Sequence, residues 1–231
     1  MNVSNAAVRK YRLNNRLNLI ISSLILFFCA TSIIASVLAK PEENFWFEFR
    51  YMTVNGTVFT GLVSVLMIVC AVAEIRTGHE IELRKLYYFR LSSAVTEVII
   101  AVVILMSFLP FVPDSPNLLT YESFSMHVVI PLLSVISFLL NRSPVGYLHP
   151  LLRLNCAWLI TLYAAVVITL ILLGFIPPDK IPYSFMDVYS RPVWYLITFG
   201  CFIYSFTYVL SVLFTEGNRR LSKRWIEEKS G

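Results

Sequence analysis

Six long apolar segments, separated by short polar ones, run through the whole chain. They lie at residues 17–39, 52–75, 88–111, 123–140, 154–175 and 193–215. Each is close to the length of about 20 residues that an α-helix needs to cross the hydrocarbon core of a bilayer. The polar segments between them are too short to form a soluble domain. The pattern therefore predicts an all-α integral membrane bundle of six transmembrane helices, forming one domain over residues 1–231.

The composition agrees with this class of protein. Hydrophobic residues make up 57% of the 231 residues and charged residues only 14%, whereas about a quarter of the residues in a typical soluble protein are charged. The 4 cysteines fall inside the predicted spans and lack the paired spacing of a metal site. We therefore expect a chemistry that uses side chains of the spans or their ends, with no metal or organic cofactor.

The charged residues predict how the bundle is oriented. Basic residues gather before the first span, between the second and third, between the fourth and fifth, and after the last: Arg9, Lys10, Arg12, Arg16, Arg76, Arg84, Lys85, Arg90, Arg142, Arg153, Arg219, Arg220, Lys223, Arg224 and Lys229. Acidic residues prevail in the other segments: Glu42, Glu43, Glu48, Asp114, Glu122, Asp179 and Asp187. Because basic loops stay in the cytoplasm, both termini are predicted to be cytoplasmic. The membrane would be the plasma membrane in a bacterium. The net charge of +5 follows from this topology and does not indicate a nucleic-acid partner.

Two titratable residues lie well inside the predicted spans. Ionisable groups in a membrane interior are costly and are therefore candidates for function. Glu97 lies midway along the third span, and His127 lies near the start of the fourth. Pro131 cannot donate a hydrogen bond to the carbonyl of His127, so we expect the helix to be kinked there. A structural role, in which His127 bonds to a neighbouring helix, is the alternative.

Hydroxyl and small residues follow one face of the second span. They are Thr53, Thr57, Thr60, Gly61 and Ser64, at helical spacing. Such a stripe is typical of close helix packing, but Thr53 lies at the same predicted depth as His127. The N-termini of spans two, four and six would open near that level, and their positive dipole ends favour a neutral imidazole and a developing oxyanion. A hydroxyl, an imidazole and anion-stabilising groups are the parts of a nucleophilic hydrolase. Contact between spans two and four is a hypothesis.

Three motifs around these residues carry a resemblance to a known family. They are FEFRYMTVNGTVF at residues 47–59, SMHVVIPLL at 125–133 and IPYSFMDV at 181–188. In their sequence and order, and in the span pattern over most of the chain, the protein resembles the androgen-induced-gene (FAR-17a) family of multi-pass membrane proteins, and more closely its bacterial Pr6Pr branch. Members of that family are intramembrane hydrolases that cleave fatty acid esters of hydroxy fatty acids. The resemblance implies that Thr53 is the nucleophile and His127 its base.

The sequence thus favours an intramembrane hydrolase of lipid-like carboxylic esters. Further residues are candidates for supporting the reaction or binding the substrate: Arg50, Asn55, Glu97, Ser123, Tyr183 and Asp187. One alternative is a small proton-coupled transporter or lipid translocator, in which Glu97 and His127 form a proton relay. Another is a membrane scaffold without enzymatic activity. The natural substrate and the oligomeric state stay open at this point.

Overall fold

The computed structural model describes residues 5–39, 45–78, 81, 84–107, 119–140 and 148–227. All regular secondary structure in these residues is helical. Their α-helices are α1 (Asn5–Leu38), α2 (Met52–Thr77), α3 (Arg84–Ser107), α4 (Tyr121–Phe124), α5 (Ile130–Leu140), α6 (Pro150–Leu154), α7 (Trp158–Leu172) and α8 (Val193–Glu227). Short 3₁₀ helices occupy Phe45–Arg50, Asn155–Ala157, Pro178–Lys180 and Ser184–Met186, and a π-helical turn joins α4 to α5.

Six helical segments of the described chain are long and apolar enough to cross a membrane. They are Asn15–Leu38, Met52–Thr77, Lys85–Leu105, Tyr121–Leu140, Pro150–Leu172 and Val193–Ser222. Their outward surfaces are rich in apolar side chains, such as Leu62, which is 62% exposed, and Leu213, which is 60% exposed. Such a surface is typical of helices that face lipid. The prediction of an all-α protein with six membrane-length segments is confirmed for this part of the chain.

The segment boundaries differ from the sequence prediction at several ends. The fifth segment begins at Pro150, where the Leu151 N–H donates to the His149 ring at 3.3 Å. The last helix continues well past residue 215, because Glu216 accepts hydrogen bonds from Arg219 and Arg220 at 2.8–2.9 Å and supports another turn. Residues 108–111 of the third predicted span lie outside the described residues, as do Glu42, Glu43, Asp114, Arg142 and Lys229.

Helix α3 occupies the centre of the described bundle. It packs against α2, α5 and α8, and every residue from 91 to 97 is buried. Arg90 also belongs to this buried stretch, since it is only 4% exposed. Its assignment to the basic loop between spans two and three was therefore wrong. Counting basic residues by sequence position cannot separate a side chain at the membrane edge from one that turns into the bundle.

The small-residue face of α2 lets its neighbours approach closely. A Cβ added at Gly56 would lie 2.4 Å from Ile100 Cδ1 on α3, which is too close for any larger residue without movement. A Cβ at Gly61 would lie 3.5 Å from Cys29 Cβ on α1. Thr57 and Thr60 are also buried on this face. The stripe thus brings α2 against both α1 and α3.

Candidate active site

Thr53 lies in the first turn of α2 and is 7% exposed. The chain enters this helix through the 3₁₀ helix Phe45–Arg50 and an extended Tyr51. Asn55 fixes that entry, because its side-chain amide donates to the carbonyls of Phe49 and Tyr51 at 2.7 and 2.8 Å. These bonds hold the backbone on the N-terminal side of Thr53. Asn55 therefore supports the position of Thr53 and does not itself contact His127 through a hydrogen bond.

His127 lies in the π-helical turn Ser125–Val129, directly before α5. Pro131 has no N–H for the His127 carbonyl, and the hydrogen bonding shifts so that the Ile130 N–H donates to the Ser125 carbonyl, five residues back. The disturbance that Pro131 predicts is thus observed as a π turn. In this turn the His127 ring faces α2, and its Nε2 lies 3.3 Å from Thr53 Oγ1.

The second ring nitrogen of His127 also has a partner. Its Nδ1 lies 3.2 Å from Ser123 Oγ, one helical turn earlier. When the imidazole is neutral, one nitrogen donates and the other accepts. If Nδ1–H donates to Ser123, Nε2 is free to accept the proton of Thr53. Ser123, His127 and Thr53 then form a line of hydrogen bonds with the polarity that nucleophile activation requires.

The Tyr183 hydroxyl lies at the N-terminus of α2 beside Thr53. It accepts a hydrogen bond from the Met52 N–H at 3.1 Å and also interacts with the backbone and side chain of Thr53. Burial raises the pKa of the Tyr183 phenol, and the hydrogen bonds from Thr53 and Met52 act in the opposite direction. The phenol therefore stays protonated. Its ring stacks on Phe185 with centroids 5.2 Å apart, which fixes its orientation.

Arg50 holds the approach to α2 together. Its guanidinium carbon lies 4.0 Å from the centroid of the Phe47 ring and 4.7 Å from that of Tyr51, and its Nη2 donates to the Tyr51 hydroxyl at 2.8 Å. The Arg50 carbonyl accepts a hydrogen bond from the Tyr163 hydroxyl on α7. These contacts hold the segment before Thr53 against its own aromatic residues and against α7. Arg50 therefore helps to position the N-terminus of α2.

An apolar cavity of about 200 Å³ opens beside this site, among α3, α7, α8 and the 3₁₀ helix Ser184–Met186. Met52 and Tyr183 form its wall nearest Thr53. Ile100, Phe199 and Gly200 line it further along, and nearly all of its surface is apolar. A cavity of this composition suits a hydrocarbon chain. The nucleophile candidate thus lies where an apolar cavity meets polar groups.

The structure separates two of the other candidate residues from this site. Glu97 Oε1 accepts a hydrogen bond from Thr60 at 2.8 Å, and Thr60 lies two helical turns beyond Thr53. Asp187 is bonded within its own turn, to Ser190 and the Tyr189 N–H. The Ser190 hydroxyl is the main cause that lowers the pKa of Asp187. Neither carboxylate hydrogen-bonds to His127, so neither orients the imidazole, and the Glu97–His127 relay lacks a direct contact.

Apart from Tyr183, the residues that line the cavity carry no signal in the sequence. Met52 and Ile100 look like ordinary apolar residues of a span, and no periodicity distinguishes a side chain that lines a cavity from one that faces lipid. No protein-family profile, curated protein or solved structure matches the chain. The motifs in the sequence and the geometry of the site therefore carry the functional argument.

Proposed function

We propose that the protein is an intramembrane hydrolase of lipid-like carboxylic esters, with Thr53 as nucleophile and His127 as general base. The observation that carries this proposal is the 3.3 Å contact between Thr53 Oγ1 and His127 Nε2, with His127 Nδ1 held by Ser123 at 3.2 Å. A nucleophile, a base and a group that orients the base are the three parts of a hydroxyl-dependent acyl transferase or hydrolase. Here Ser123 takes the orienting position.

The reaction proceeds in two acyl-transfer steps. Thr53 Oγ1 attacks the ester carbonyl carbon while His127 Nε2 takes the hydroxyl proton. The tetrahedral intermediate then breaks its bond to the leaving alcohol, which receives that proton, and a threonyl ester remains. Water, deprotonated by His127, attacks this ester. Cleavage returns the proton to Thr53 and releases the carboxylic acid.

Tyr183 and the N-terminus of α2 are suited to stabilise the oxyanion of both intermediates. The phenol is protonated and lies beside the Met52 N–H and Thr53. A fixed donor next to the developing charge, in a site with little water, strengthens with the charge and needs no reorganisation. The positive end of the α2 dipole acts in the same direction. This assigns Tyr183 a direct role and Arg50 and Asn55 supporting ones.

The apolar cavity beside Met52 and Tyr183 supports an acyl-chain substrate. A fatty acyl group in this cavity would bring its carbonyl carbon to the end nearest Thr53. The resemblance to the androgen-induced-gene family favours fatty acid esters of hydroxy fatty acids within this class. No step of the scheme uses a metal or an organic cofactor.

The positive charges at the chain ends support a cytoplasmic location of both termini. With that orientation, the N-terminal ends of α2 and α4, and hence Thr53 and His127, face the outer side of the membrane. Water would then enter from outside, and substrate would enter from the lipid. In a bacterium this membrane would be the plasma membrane.

Active-site labelling tests the proposal directly. The protein is purified in detergent, treated with a lipophilic fluorophosphonate, and digested so that mass spectrometry can identify the modified peptide. We expect a covalent adduct on Thr53 in the wild type and none in Thr53→Val. His127→Ala should lose labelling, because the hydroxyl is then no longer activated.

Thr57→Val is the matched control. Thr57 lies one turn further along α2, is fully buried, and its hydroxyl has no hydrogen-bond partner among the described residues. Its substitution by an isosteric residue should leave both labelling and ester hydrolysis unchanged. Full hydrolysis of a long-chain ester by folded Thr53→Val would overturn the proposal.

A further inference from the structure

A second polar cluster lies deeper in the bundle, away from Thr53. It surrounds a small chamber lined by α1, α2, α3 and α5, and all of its lining residues are buried. Six of them carry hydroxyl groups: Ser22, Thr60, Ser64, Ser93, Ser134 and Ser137. The guanidinium of Arg90 also lines the chamber. The proposed ester hydrolysis makes no use of these groups.

Arg90 is a buried cation whose observed partners are all neutral. Its Nη2 donates to the carbonyl oxygen of Ser137 at 2.6 Å and also to the Ser137 hydroxyl, and its Nη1 lies 3.7 Å from Met67 Sδ. No carboxylate of the described residues lies within 4.0 Å of the guanidinium. An arginine side chain keeps its proton even when it is buried. A buried charge without a counter-ion is strongly unfavourable.

Glu97 is the acidic residue that could otherwise serve as the counter-ion of Arg90. It lies seven residues after Arg90 on α3, which corresponds to about 10 Å along the helix axis. Its side chain is fully buried, Oε1 accepts one hydrogen bond from Thr60, and Oε2 has no partner in the described part of the chain. One hydrogen bond does not replace the hydration of a carboxylate, so the neutral acid is favoured here. A neutral Glu97 leaves the charge of Arg90 unbalanced.

The chamber provides hydroxyl donors and a defined amount of space. Ser134 Oγ is buried without a hydrogen-bond partner among the described residues, although it lines the chamber. Ser64, by contrast, donates to the Thr60 carbonyl at 2.8 Å and is already satisfied. The open space in the chamber is about 10 Å³, which is roughly the space for one water molecule. A chloride ion is a few tenths of an ångström larger in radius than a water molecule, so the serine side chains around the chamber must move slightly outward to admit it, whereas phosphate, sulfate and lipid carboxylates are much larger.

We propose that this chamber is a binding site for a single monovalent anion, chloride, held by Arg90 and by the hydroxyl groups of Ser134 and Ser137. The anion balances the buried guanidinium, and Ser134 gains the partner that it otherwise lacks. A water molecule would fill the same space but would leave the charge of Arg90 unbalanced. The anion site is separate from the proposed hydrolase site, and neither proposal depends on the other.

Thermal unfolding of the full-length protein in detergent is the primary test. Sodium chloride is titrated into protein prepared in sodium gluconate, with the total sodium concentration held constant. We expect the Tm to rise saturably with chloride and with bromide but not with sulfate, because a ligand that binds only the folded state stabilises it by mass action. An equal Tm in chloride and gluconate at every concentration would refute the proposal.

Variants identify the chamber as the origin of the effect. Ser134→Ala removes one donor and should weaken the apparent halide affinity about fivefold to tenfold. Ser137→Asp places a carboxylate beside Arg90 and should abolish the halide dependence while retaining a high Tm in gluconate. Ser92→Ala is the matched control, because Ser92 is a fully buried neighbour on α3 that donates to the Cys156 carbonyl at 2.9 Å. Its halide response should equal that of the wild type.

Glu97→Gln tests whether Glu97, instead of a bound anion, balances the charge of Arg90. If ionised Glu97 balanced Arg90, the wild type would not respond to halide and Glu97→Gln would begin to do so. The chloride site predicts instead that both proteins respond with similar affinity. A halide response that persists undiminished in Ser137→Asp would place the anion elsewhere and would also refute the proposal. Bromide anomalous scattering from crystals would give the position of the ion directly.

Discussion

Ser123→Ala tests whether the hydrogen bond to His127 Nδ1 orients the base. The Ser123 hydroxyl lies 3.2 Å from this nitrogen, and the substitution removes it without changing the helix. A neutral hydrogen bond contributes about 1 kcal/mol net, and about 1.4 kcal/mol corresponds to a factor of ten in rate. We therefore expect kcat to fall about fivefold to tenfold. Because the proposal assigns Ser123 to orienting the base and not to binding the substrate, KM should stay nearly constant.

The assay measures initial rates of ester hydrolysis by purified protein over a range of concentrations of a long-chain fluorogenic ester. Ser123→Thr retains the hydroxyl and should keep most of the wild-type kcat. Ser125→Ala is the matched control, because Ser125 is a buried serine of the same helical segment that is not hydrogen-bonded to His127. Its kcat should equal that of the wild type. The Tm of each variant shows whether the fold is retained.

Two results would refute the reasoning. An unchanged kcat in Ser123→Ala would mean that His127 is oriented without Ser123. A loss of about a thousandfold or more, comparable with removal of a nucleophile, would mean that Ser123 takes part in bond making rather than in orienting the ring. Only an intermediate loss, confined to kcat and restored by Ser123→Thr, fits a positioning residue.

Three further predictions concern the oxyanion, the helix contact and the cavity. Tyr183→Phe keeps the ring but removes the donor and should lower kcat about a hundredfold, measured with the same ester. Gly56→Ala forces a Cβ to within 2.4 Å of Ile100 Cδ1 and should lower the stability to denaturant by about 1–3 kcal/mol, and by less when it is introduced into Ile100→Val, which lacks that atom. Gly200→Phe, at a cavity-lining position with open space around it, should shift the preference to shorter acyl chains, whereas exposed Cys201→Phe should not.

The membrane segments were predictable from sequence because the bilayer imposes a length and a composition on each of them. Helices that cross hydrocarbon must satisfy their backbone groups internally and present apolar side chains outward. These requirements restrict the length and the residue types of each span, which is why the number and approximate position of the predicted spans agree with the structure. The end of α8 was missed because ion pairs such as Glu216–Arg219 extend a helix beyond its apolar part.

The components of the candidate site were only partly predictable. The depths of Thr53 and His127 follow from their positions in the spans, but lateral contact between two helices depends on packing that no single periodicity encodes. Ser123 lies four residues before His127, so its proximity to the ring followed from helical geometry alone. Tyr183, in contrast, reaches α2 from a segment more than a hundred residues away. Only the motif IPYSFMDV at residues 181–188 indicated a role for Tyr183.

The polar groups of the bundle divide into two clusters with different physical requirements. Thr53 and His127 lie in the first turns of their segments, where helix N-termini, Tyr183 and an apolar cavity meet, as the proposed acyl transfer requires. Ser64, eleven residues beyond Thr53 and about 16 Å further along α2, lines the second chamber together with Arg90, and the open space there is about 10 Å³, against about 200 Å³ for the apolar cavity. The proposed ester hydrolysis needs room for an acyl chain, whereas the proposed counter-ion needs room for one small ion. One hydroxyl-bearing face of α2 therefore serves both clusters, and a transmembrane threonine or serine indicates catalysis only where the fold also supplies a base and an entrance.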